Sequence, residues 1–448
     1  MIAEWKARGG EIAVVGLGRS GVAAGLLLRE RGVDVYASDT GTSEAHARWA
    51  GQLGTAGADV QLGGHDLDRI ARATAVVVAP GVPPDVPPLA RARAAGVPIH
   101  AEADLGVSEL RGTRYVAVTG TNGKTTTTSL IGHVMAGAGL RGETAGNIGR
   151  PVCDVARLAD PPAWLALELS SFQLHDMPSV DPAVGVLTNL APNHLDRYAT
   201  LENYYGDKAL LFRNAGPGST WVTNADDAAV QEMAAGVAGS HRRFSLRGRS
   251  DAWYDRERNA LMLGQRPVLD RSRLPLLGEH NVANALAALL AVESIGGDPQ
   301  RMAEGLTTFR SIPHRVEPIR EVDGVLWIND SKSTNVTSTE VAVLALDRPF
   351  VLLLGGRHKG EPYTRLIPHL RERCRAVVAY GESGDIVESD LAGAVRVVRA
   401  GTFDEVIAVA RREAKPGDAV LLSPACSSYD MFTNYEERGA TFRRLVDG

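Results

Sequence analysis

The stretch Thr119-Gly120-Thr121-Asn122-Gly123-Lys124-Thr125-Thr126-Thr127-Thr128 follows the apolar run Tyr115-Val116-Ala117-Val118 and precedes Ser129-Leu130-Ile131. The passage from apolar run to glycine turn to hydroxyl-rich segment predicts a strand, a tight loop and a helix start. A lysine between glycine and threonine at such a turn suits a triphosphate. The N–H groups of Gly120, Thr121, Asn122 and Gly123 can point at phosphate oxygens, and Lys124 can neutralise β/γ charge. Thr125 can offer its hydroxyl to Mg²⁺, with Thr126 beside it. The usual pattern places another glycine six residues before the lysine, where this chain has Val118, so the loop is a short variant. The plain alternative is a polar helix N-terminus preceded by a turn.

Working outward, 448 residues exceed one ordinary core and suggest about three domains. Arginine and lysine number 48 against 53 acidic residues, a balance without the electrostatic footprint of a nucleic-acid binder. The arginines at Arg242, Arg243 and Arg247 are read as a solvated face. The opening MIAEWKARGGEIAVVG has no apolar segment before a cleavage site, and no apolar run reaches the length of a membrane span. Cys153, Cys374 and Cys426 are widely spaced, which fits a reducing compartment and offers no metal-binding spacing. The expectation is a cytoplasmic monomer acting on small molecules, with neither nucleic acid nor membrane as partner.

Three stretches each restart an alternation of strands and helices, the signature of α/β layers. The first runs from Glu11–Val15 through the turn Gly16-Leu17-Gly18-Arg19-Ser20-Gly21 to strands at Asp34–Asp39 and Ala75–Ala79. The second starts at the phosphate loop, with strands at Ala163–Leu167, Val184–Thr188 and Ser219–Thr223 and a helix through Asn281–Ala288. The third has strands at Val325–Ile328, Phe350–Leu354, Ala376–Tyr380 and Ala419–Leu422. Expected domains are therefore 1–103, 104–311 and 312–448. The outer two are read as Rossmann-like and the middle one as a phosphate-loop ATPase type.

GLGRSG after a strand fits a dinucleotide site, another nucleotide-diphosphate site, or simple strand–helix packing. Arg19 is unusual for a dinucleotide and suits a diphosphate. Glu168, opening Glu168-Leu169-Ser170-Ser171-Phe172-Gln173-Leu174 at a strand's carboxyl end, is placed for Mg²⁺; a helix-capping acid is the alternative. His194, in Asn193-His194-Leu195-Asp196-Arg197 after another strand, can complete a metal site as a neutral imidazole. Lys208, from its sequence context, reads as a helix-surface lysine. Asn329–Asn335, Gly355–Gly360 and Ser423–Ser428 all follow predicted strands of the third stretch, so they are expected to converge on one sheet edge. Their lysines and hydroxyls suit an anionic amino acid or phosphates. Cys426 is read as a small buried filler.

GTNGKT, ELSSFQL, NHLDRY, GEHNVANALAAL, PHRVE, NDSKSTN, LLLGGRHKG and LLSPACSSYDMF occur in the order found in Mur ligases, which the chain resembles over essentially its whole length. ELSSFQL, NDSKSTN and SPACSSYDMF together are most similar to the branch that adds D-glutamate, and the Asp-Asn-Pro-Arg type signature of other branches is missing. The resemblance implies ATP-dependent ligation of D-glutamate to UDP-N-acetylmuramoyl-L-alanine through an acyl phosphate, a step of peptidoglycan precursor synthesis. It makes Lys124 a phosphate contact and Thr125, Glu168 and His194 ligands of Mg²⁺. Lys208 matches a position carried as an N-carboxylated lysine, which reverses the surface reading. Asn281 and Arg315 match contacts to adenine and phosphates, Asp330 to ribose and Lys332 to phosphates. Thr334, Lys359, Ser428 and Tyr435 match contacts to the incoming glutamate. Gly18, Arg19, Ser20, Asp39, Thr40 and Gly81 match contacts to UDP, with Asp39 and Thr40 nearest uracil, and Asn147 matches one to the muramoyl portion. Two positions depart: Asn193 stands where relatives have aspartate, and Tyr435 where phenylalanine is familiar. A folate polyglutamating enzyme would lack the UDP domain. A dinucleotide oxidoreductase would leave the phosphate loop unexplained. A phosphate-loop motor would not need a small amine or carboxylate.

Overall fold

The computed structural model of the chain describes residues 1–193 and 197–447. Contacts divide them into two compact units, Met1–Leu274 with Val282–Thr308, and Pro275–Asn281 with Phe309–Gly448.

The first unit holds two sheets. Strands β1 (Glu11–Val15), β2 (Asp34–Asp39), β3 (Asp59–Leu62), β4 (Ala75–Val78) and β5 (Ile99–Ala101) form a parallel sheet ordered β3-β2-β1-β4-β5. The order reverses beside β1, so the loop after β1 lies at the switch point where such sheets take ligands. Both faces are covered: β1 and β4 are buried almost throughout, as parallel strands flanked by helices must be.

The second sheet comprises β6 (Arg114–Thr119), β7 (Gly142–Gly146), β8 (Trp164–Glu168), β9 (Val184–Leu187), β10 (Thr220–Asn224), β11 (Ser240–Ser245), β12 (Ala252–Asp255), β13 (Ala260–Leu263) and β14 (Arg266–Asp270). Its order is β14-β13-β12-β11-β10-β9-β6-β8-β7, parallel except for the β12–β13–β14 meander. The central trio β9-β6-β8 brings Thr119 beside Leu187, and Val118 beside Glu168. Register alone therefore sets the phosphate loop between the carboxyl ends of two neighbours. The expected helix near Asn281 is Glu279–Glu293, extended by its run of alanine and leucine.

The second unit is built on β15 (Glu317–Val322), β16 (Val325–Asn329), β17 (Phe350–Gly355), β18 (Cys374–Tyr380), β19 (Val397–Arg399) and β20 (Ala419–Leu422), ordered β15-β16-β20-β17-β18-β19. Only β15 is antiparallel, paired to β16. Since β16, β20 and β17 are adjacent and parallel, the loops after them share one edge, as their sequence positions led us to expect.

Among the charges that sequence reading passed over, Glu102 lies fully buried at the start of the helix Glu102–Glu109. One oxygen accepts the Cys153 N–H at 2.7 Å, while the other has no hydrogen-bond partner among the described residues. Burial pushes its pKa up to about 7, and the Cys153 N–H only partly opposes that. The native state thus holds a proton that the unfolded chain releases. The stabilising contribution is complete below pH 4.5 and is lost as pH rises through about 7. Glu102→Gln should therefore gain on the wild type by ~3 kcal/mol between pH 4 and pH 8 in urea unfolding. A difference that does not change with pH would rule out a buried, proton-binding carboxyl.

Candidate active site

The phosphate loop is held by its neighbour strand. Thr121 N–H donates to Asn189 O at 2.9 Å and Asn122 N–H to the Asn189 side-chain oxygen at 2.9 Å. Thr188 Oγ1 and Asn189 Nδ2 both donate to Asn122 O, at 2.7 and 2.9 Å. Glycine is required twice. Gly120 has φ +144°, and a Cβ there would fall 2.0 Å from Thr188 Oγ1 and 3.1 Å from Asn189 O. Gly123 has φ +80°, with a Cβ 2.4 Å from the Asn284 side-chain oxygen. Lys124 opens the helix Lys124–Gly137 and donates Nζ to Gly120 O and Thr121 O, both at 2.9 Å. Its charge is thereby folded over the loop, beside the positive end of the helix dipole. Thr125 and Thr126 follow in the first turn.

Around this loop stand two charged groups that are nearly inaccessible. Glu168, at the end of β8, is 1% exposed. Its Oε1 accepts Asn147 Nδ2 at 2.8 Å, and its Oε2 has no hydrogen-bond partner among the described residues. A buried carboxylate oxygen left open in this way fits a cation, and Thr125 supplies a second oxygen type suited to Mg²⁺. Among the described residues no three His, Cys, Asp or Glu cluster tightly enough for a metal; His194, expected as a ligand, lies outside the described residues.

Lys208 corrects the surface reading made from its sequence context. It sits near the end of the helix Leu201–Ala209, is 1% exposed, and donates Nζ to Gly120 O at 2.8 Å. Its ammonium lies 4.6 Å from the centre of the Tyr204 ring. Burial, reinforced by the charge of Lys124, lowers its pKa well below the usual lysine range. The alternation around Tyr204-Tyr205-Gly206-Asp207-Lys208 carries no signal for this, because a helix face is polar or apolar only relative to what packs on it.

A cavity of about 800 Å³ opens across the carboxyl ends of the first sheet, and all seven residues expected at the UDP-linked substrate line it: Gly18, Arg19, Ser20, Asp39, Thr40, Gly81 and Asn147. Asp39 is already engaged. Its two oxygens accept the N–H groups of Leu17 and Gly41, each at 2.6 Å, so it fastens the β1 loop to the β2 loop. Sequence reasoning missed Trp49 and His65 in this wall. His65 Nδ1 is 2.9 Å from Ser38 Oγ, and burial lowers its pKa, so the ring is neutral near pH 7.

The second unit gathers its own set. Asp330 is buried, accepts Ser423 Oγ–H at 2.7 Å and Val316 N–H at 3.1 Å, and is pushed by burial up to about 6. Arg315, expected at the phosphates, is flanked by His314 at φ 65° and Val316 at φ 40°. Positive φ is costly for a β-branched residue and is retained here by the bond to Asp330. Asn281 is buried and donates Nδ2 to Leu277 O at 2.8 Å. Lys332 Nζ lies 5.2 Å from the Tyr435 ring centre, and Lys359 Nζ donates to Thr334 Oγ1 at 3.2 Å. Four of the expected glutamate and phosphate contacts are thus two neighbouring pairs. Ser428 is buried, and its carbonyl accepts the Phe432 N–H at 2.8 Å.

Sequence reasoning also missed Arg438, which is fully buried. It donates Nε to Ser331 Oγ at 2.9 Å, Nη2 to Ser331 O at 2.8 Å, and both Nη atoms to Cys426 O at 3.2 Å. One guanidinium fork therefore pins the loop carrying Lys332 to the loop carrying Ser428. The Cys426 thiol, 2.7 Å from the Tyr363 hydroxyl, is raised by burial and packs as a filler.

Three family models match in sequence order: the Mur ligase MurD-like N-terminal domain over residues 10–101, the Mur ligase middle domain over 118–292, and the Mur ligase glutamate ligase domain over 314–426. The UDP-N-acetylmuramoylalanine–D-glutamate ligase of Acidobacterium capsulatum is 39% identical over 98% of this chain and 96% of its own length. The enzyme of the same description from Salinibacter ruber is 41% identical over 97% of each chain. Among solved structures, the UDP-N-acetylmuramate-alanine ligase MurC of Thermotoga maritima superposes with a TM-score of 0.62 at 21% identity, covering 98% of each chain. MurF of Acinetobacter baumannii gives 0.61 at 16% identity, over 97% of this chain and 93% of that one. These two show the three-domain fold.

Gly120→Ala tests the loop directly. A methyl group would collide with Thr188 and with the backbone of Asn189, displacing the loop N–H groups expected at the phosphates. The expected outcome is a folded protein by circular dichroism whose kcat/KM for ATP falls by ~10²-fold or more. Activity within a fewfold of wild type would show that the loop does not need its present shape.

Proposed function

The chain belongs to the Mur ligase family, and on that premise we propose that it joins D-glutamate to UDP-N-acetylmuramoyl-L-alanine, driven by cleavage of ATP to ADP and phosphate. The observation that carries this reading lies within the first unit. Asn147, in the wall of the nucleotide-sized cavity, is bonded to Glu168, which has one oxygen open and pairs in register with Val118, just before the triphosphate loop. A substrate whose diphosphate rests at Gly18–Ser20 and whose carboxylate extends past Asn147 would meet the γ-phosphate there.

The chemistry divides into two steps. An oxygen of the alanyl carboxylate attacks the γ-phosphorus, the bond to the β–γ bridging oxygen breaks, and ADP departs. The nitrogen of glutamate, as the neutral amine, then attacks the acyl carbon, phosphate leaves with the bonding pair, and the nitrogen sheds its proton. Both steps crowd anionic oxygens, so positioning and fixed positive charge dominate the rate enhancement. Lys124 and the loop N–H groups hold the triphosphate, with Arg315 and Lys332 as further phosphate contacts, Asp330 at the ribose and Asn281 at the adenine. Lys359, Thr334, Ser428 and Tyr435 orient glutamate, the ammonium pairing with a carboxylate. Mg²⁺ held by Thr125, Glu168 and His194 would supply charge neutralisation when bound. The domain bounds 1–103, 104–311 and 312–448 assign these three tasks to nucleotide, ATP and amino-acid binding. We read the protein as a cytoplasmic monomer; among the described residues no helix is long and apolar enough to cross a membrane.

Lys208 enters through its depressed pKa. The neutral amine is the form that takes up carbon dioxide: its nitrogen bonds the carbon, one N–H proton is released to solvent, and the resulting carbamate is an anion that can pair with Lys124. The opposite sign would then remove the repulsion that Lys124 exerts on it.

Two measurements test this reading. Phosphate release should require UDP-N-acetylmuramoyl-L-alanine, ATP, Mg²⁺ and D-glutamate together, with other amino acids tried singly; release indifferent to acceptor and amino acid would overturn it. Lys208→Ala should lose ~10²-fold in kcat and regain part of it with added acetate or formate. Wild-type turnover in that variant would remove the carbamate from the mechanism.

A further inference from the structure

The loop between β7 and the helix Val152–Ala156 touches both ends of the chemistry in the first unit. On one side, Arg19 Nη2 donates to Gly149 O at 2.8 Å, from a guanidinium that also lines the nucleotide cavity beside Gly18 and Ser20. On the other side, Asn147 grips Glu168 twice, through its N–H to Glu168 O at 3.0 Å and its Nδ2 to Oε1 at 2.8 Å. The residues between have little room to give. Gly146 pairs with Glu168 in the sheet register, has φ +100°, and lies so close that a Cβ would sit 2.4 Å from Glu168 O. Gly149 has φ +71°, with a Cβ 2.5 Å from Thr144 O. Gly146 N–H also donates to Arg150 O at 3.2 Å, closing the loop on itself. A shift of Gly149 is therefore passed to Asn147 rather than absorbed on the way.

We propose that Arg19 is a positioning residue that couples the filling of the nucleotide-diphosphate cavity to the setting of Glu168, and so to the binding of Mg²⁺-ATP. The inference rests on the reading that this cavity takes a UDP-linked substrate and that Glu168 faces the metal. A guanidinium presents five donors in a rigid plane, so phosphate oxygens and Gly149 O can be held by one group at once. Diphosphate fixes the plane, the plane fixes Gly149, and Asn147 then holds Glu168 with its open oxygen presented to the cation. Without diphosphate, a single hydrogen bond from an exposed arginine leaves the loop loosely held. Linkage makes the effect mutual: each ligand tightens the other by the same factor.

The test uses the full chain and calorimetric binding of a Mg²⁺-ATP analogue with a non-cleavable β–γ bridge, with and without UDP as the cavity probe. In the wild type, saturating UDP should lower the analogue's Kd by about fivefold or more, the lower end of ordinary coupling between sites. In Arg19→Met, with UDP set well above its own measured Kd, the shift should vanish. Arg19→Lys keeps a charge for the phosphates but lacks the planar fork. It should bind UDP and leave less than about a twofold shift. A full wild-type shift in either variant overturns the proposal, as does a wild type that binds both ligands independently. Failure of UDP to bind the wild type would overturn the reading of the cavity as well, a distinct outcome from loss of coupling alone.

Discussion

Gly120 can occupy its place only because it has no side chain. Thr188 and Asn189, at the end of the neighbouring strand, fill the space a Cβ would need and bond the loop's N–H and C=O groups. That approach is set by strand register, with Thr119 beside Leu187 and Val118 beside Glu168. Lys124 and Lys208 both donate to Gly120 O, so the same peptide that must be glycine also collects the two ammonium groups of the site. Shift β6 by one residue and the loop, the carboxylate and the lysines would lose their relation together.

Two like charges gathered on one carbonyl in a buried setting are not a resting arrangement. A carbonyl dipole offsets only part of the repulsion, and burial first, with the charge of Lys124 second, lowers the pKa of Lys208. Glu168 carries the complementary imbalance, a buried carboxylate with one oxygen open. Such imbalances are costly for an isolated protein and become favourable when a multiply charged anion and a cation arrive. The site is built for the charges of its ligands rather than for its own neutrality. Cys426 shows the contrast: its thiol is buried and bonded to the neutral hydroxyls of Tyr363 and Ser383.

Strand cores were legible because short apolar runs ending in glycine or polar loops have few other uses in an α/β chain. Glu11–Val15, Asp34–Asp39 and Ala419–Leu422 are strands over the lengths their sequences suggest, and others differ by a residue or two at the ends. The β12–β14 meander escaped notice because its strands are short, β12 and β14 carry charged residues at their ends, and tight turns join them. Motifs at strand ends brought the cavity residues Gly18 to Asn147 into view, since topology places such loops on one edge. What could not be read was depth. Lys208 and Arg438 each follow an acidic residue, Asp207 and Glu437, and only the packing of other segments over them makes them interior. Trp49 and His65 were invisible for the same reason: each is unremarkable in its own helix or loop, and becomes a wall only across the cavity.

The second unit solves its assembly problem differently from the first. Its three loops leave adjacent parallel strands, but adjacency does not fix their conformation, and the chain adopts positive φ at Ala425 in one of them and at His314 and Val316 in the segment leading into β15. Strain of that kind persists only where the surroundings over-determine it. Asp330 supplies one constraint, accepting from Val316 and Ser423 on two different loops. Arg438 supplies the other, joining Ser331 to Cys426 from a helix that begins at Tyr435. Because Ser331 Oγ also donates to Tyr435 O at 2.8 Å, the aromatic ring beside Lys332 is fixed by the same knot. Lys359, by contrast, is exposed, and among the described residues its side chain bonds to Thr334. The unit thus holds one rigid lysine, stacked on an aromatic face, and one that can follow its partner. On the ligase reading proposed above, that division would let Lys332 keep a nucleotide phosphate still while Lys359 follows the small amino acid whose amine turns toward a carbonyl carbon.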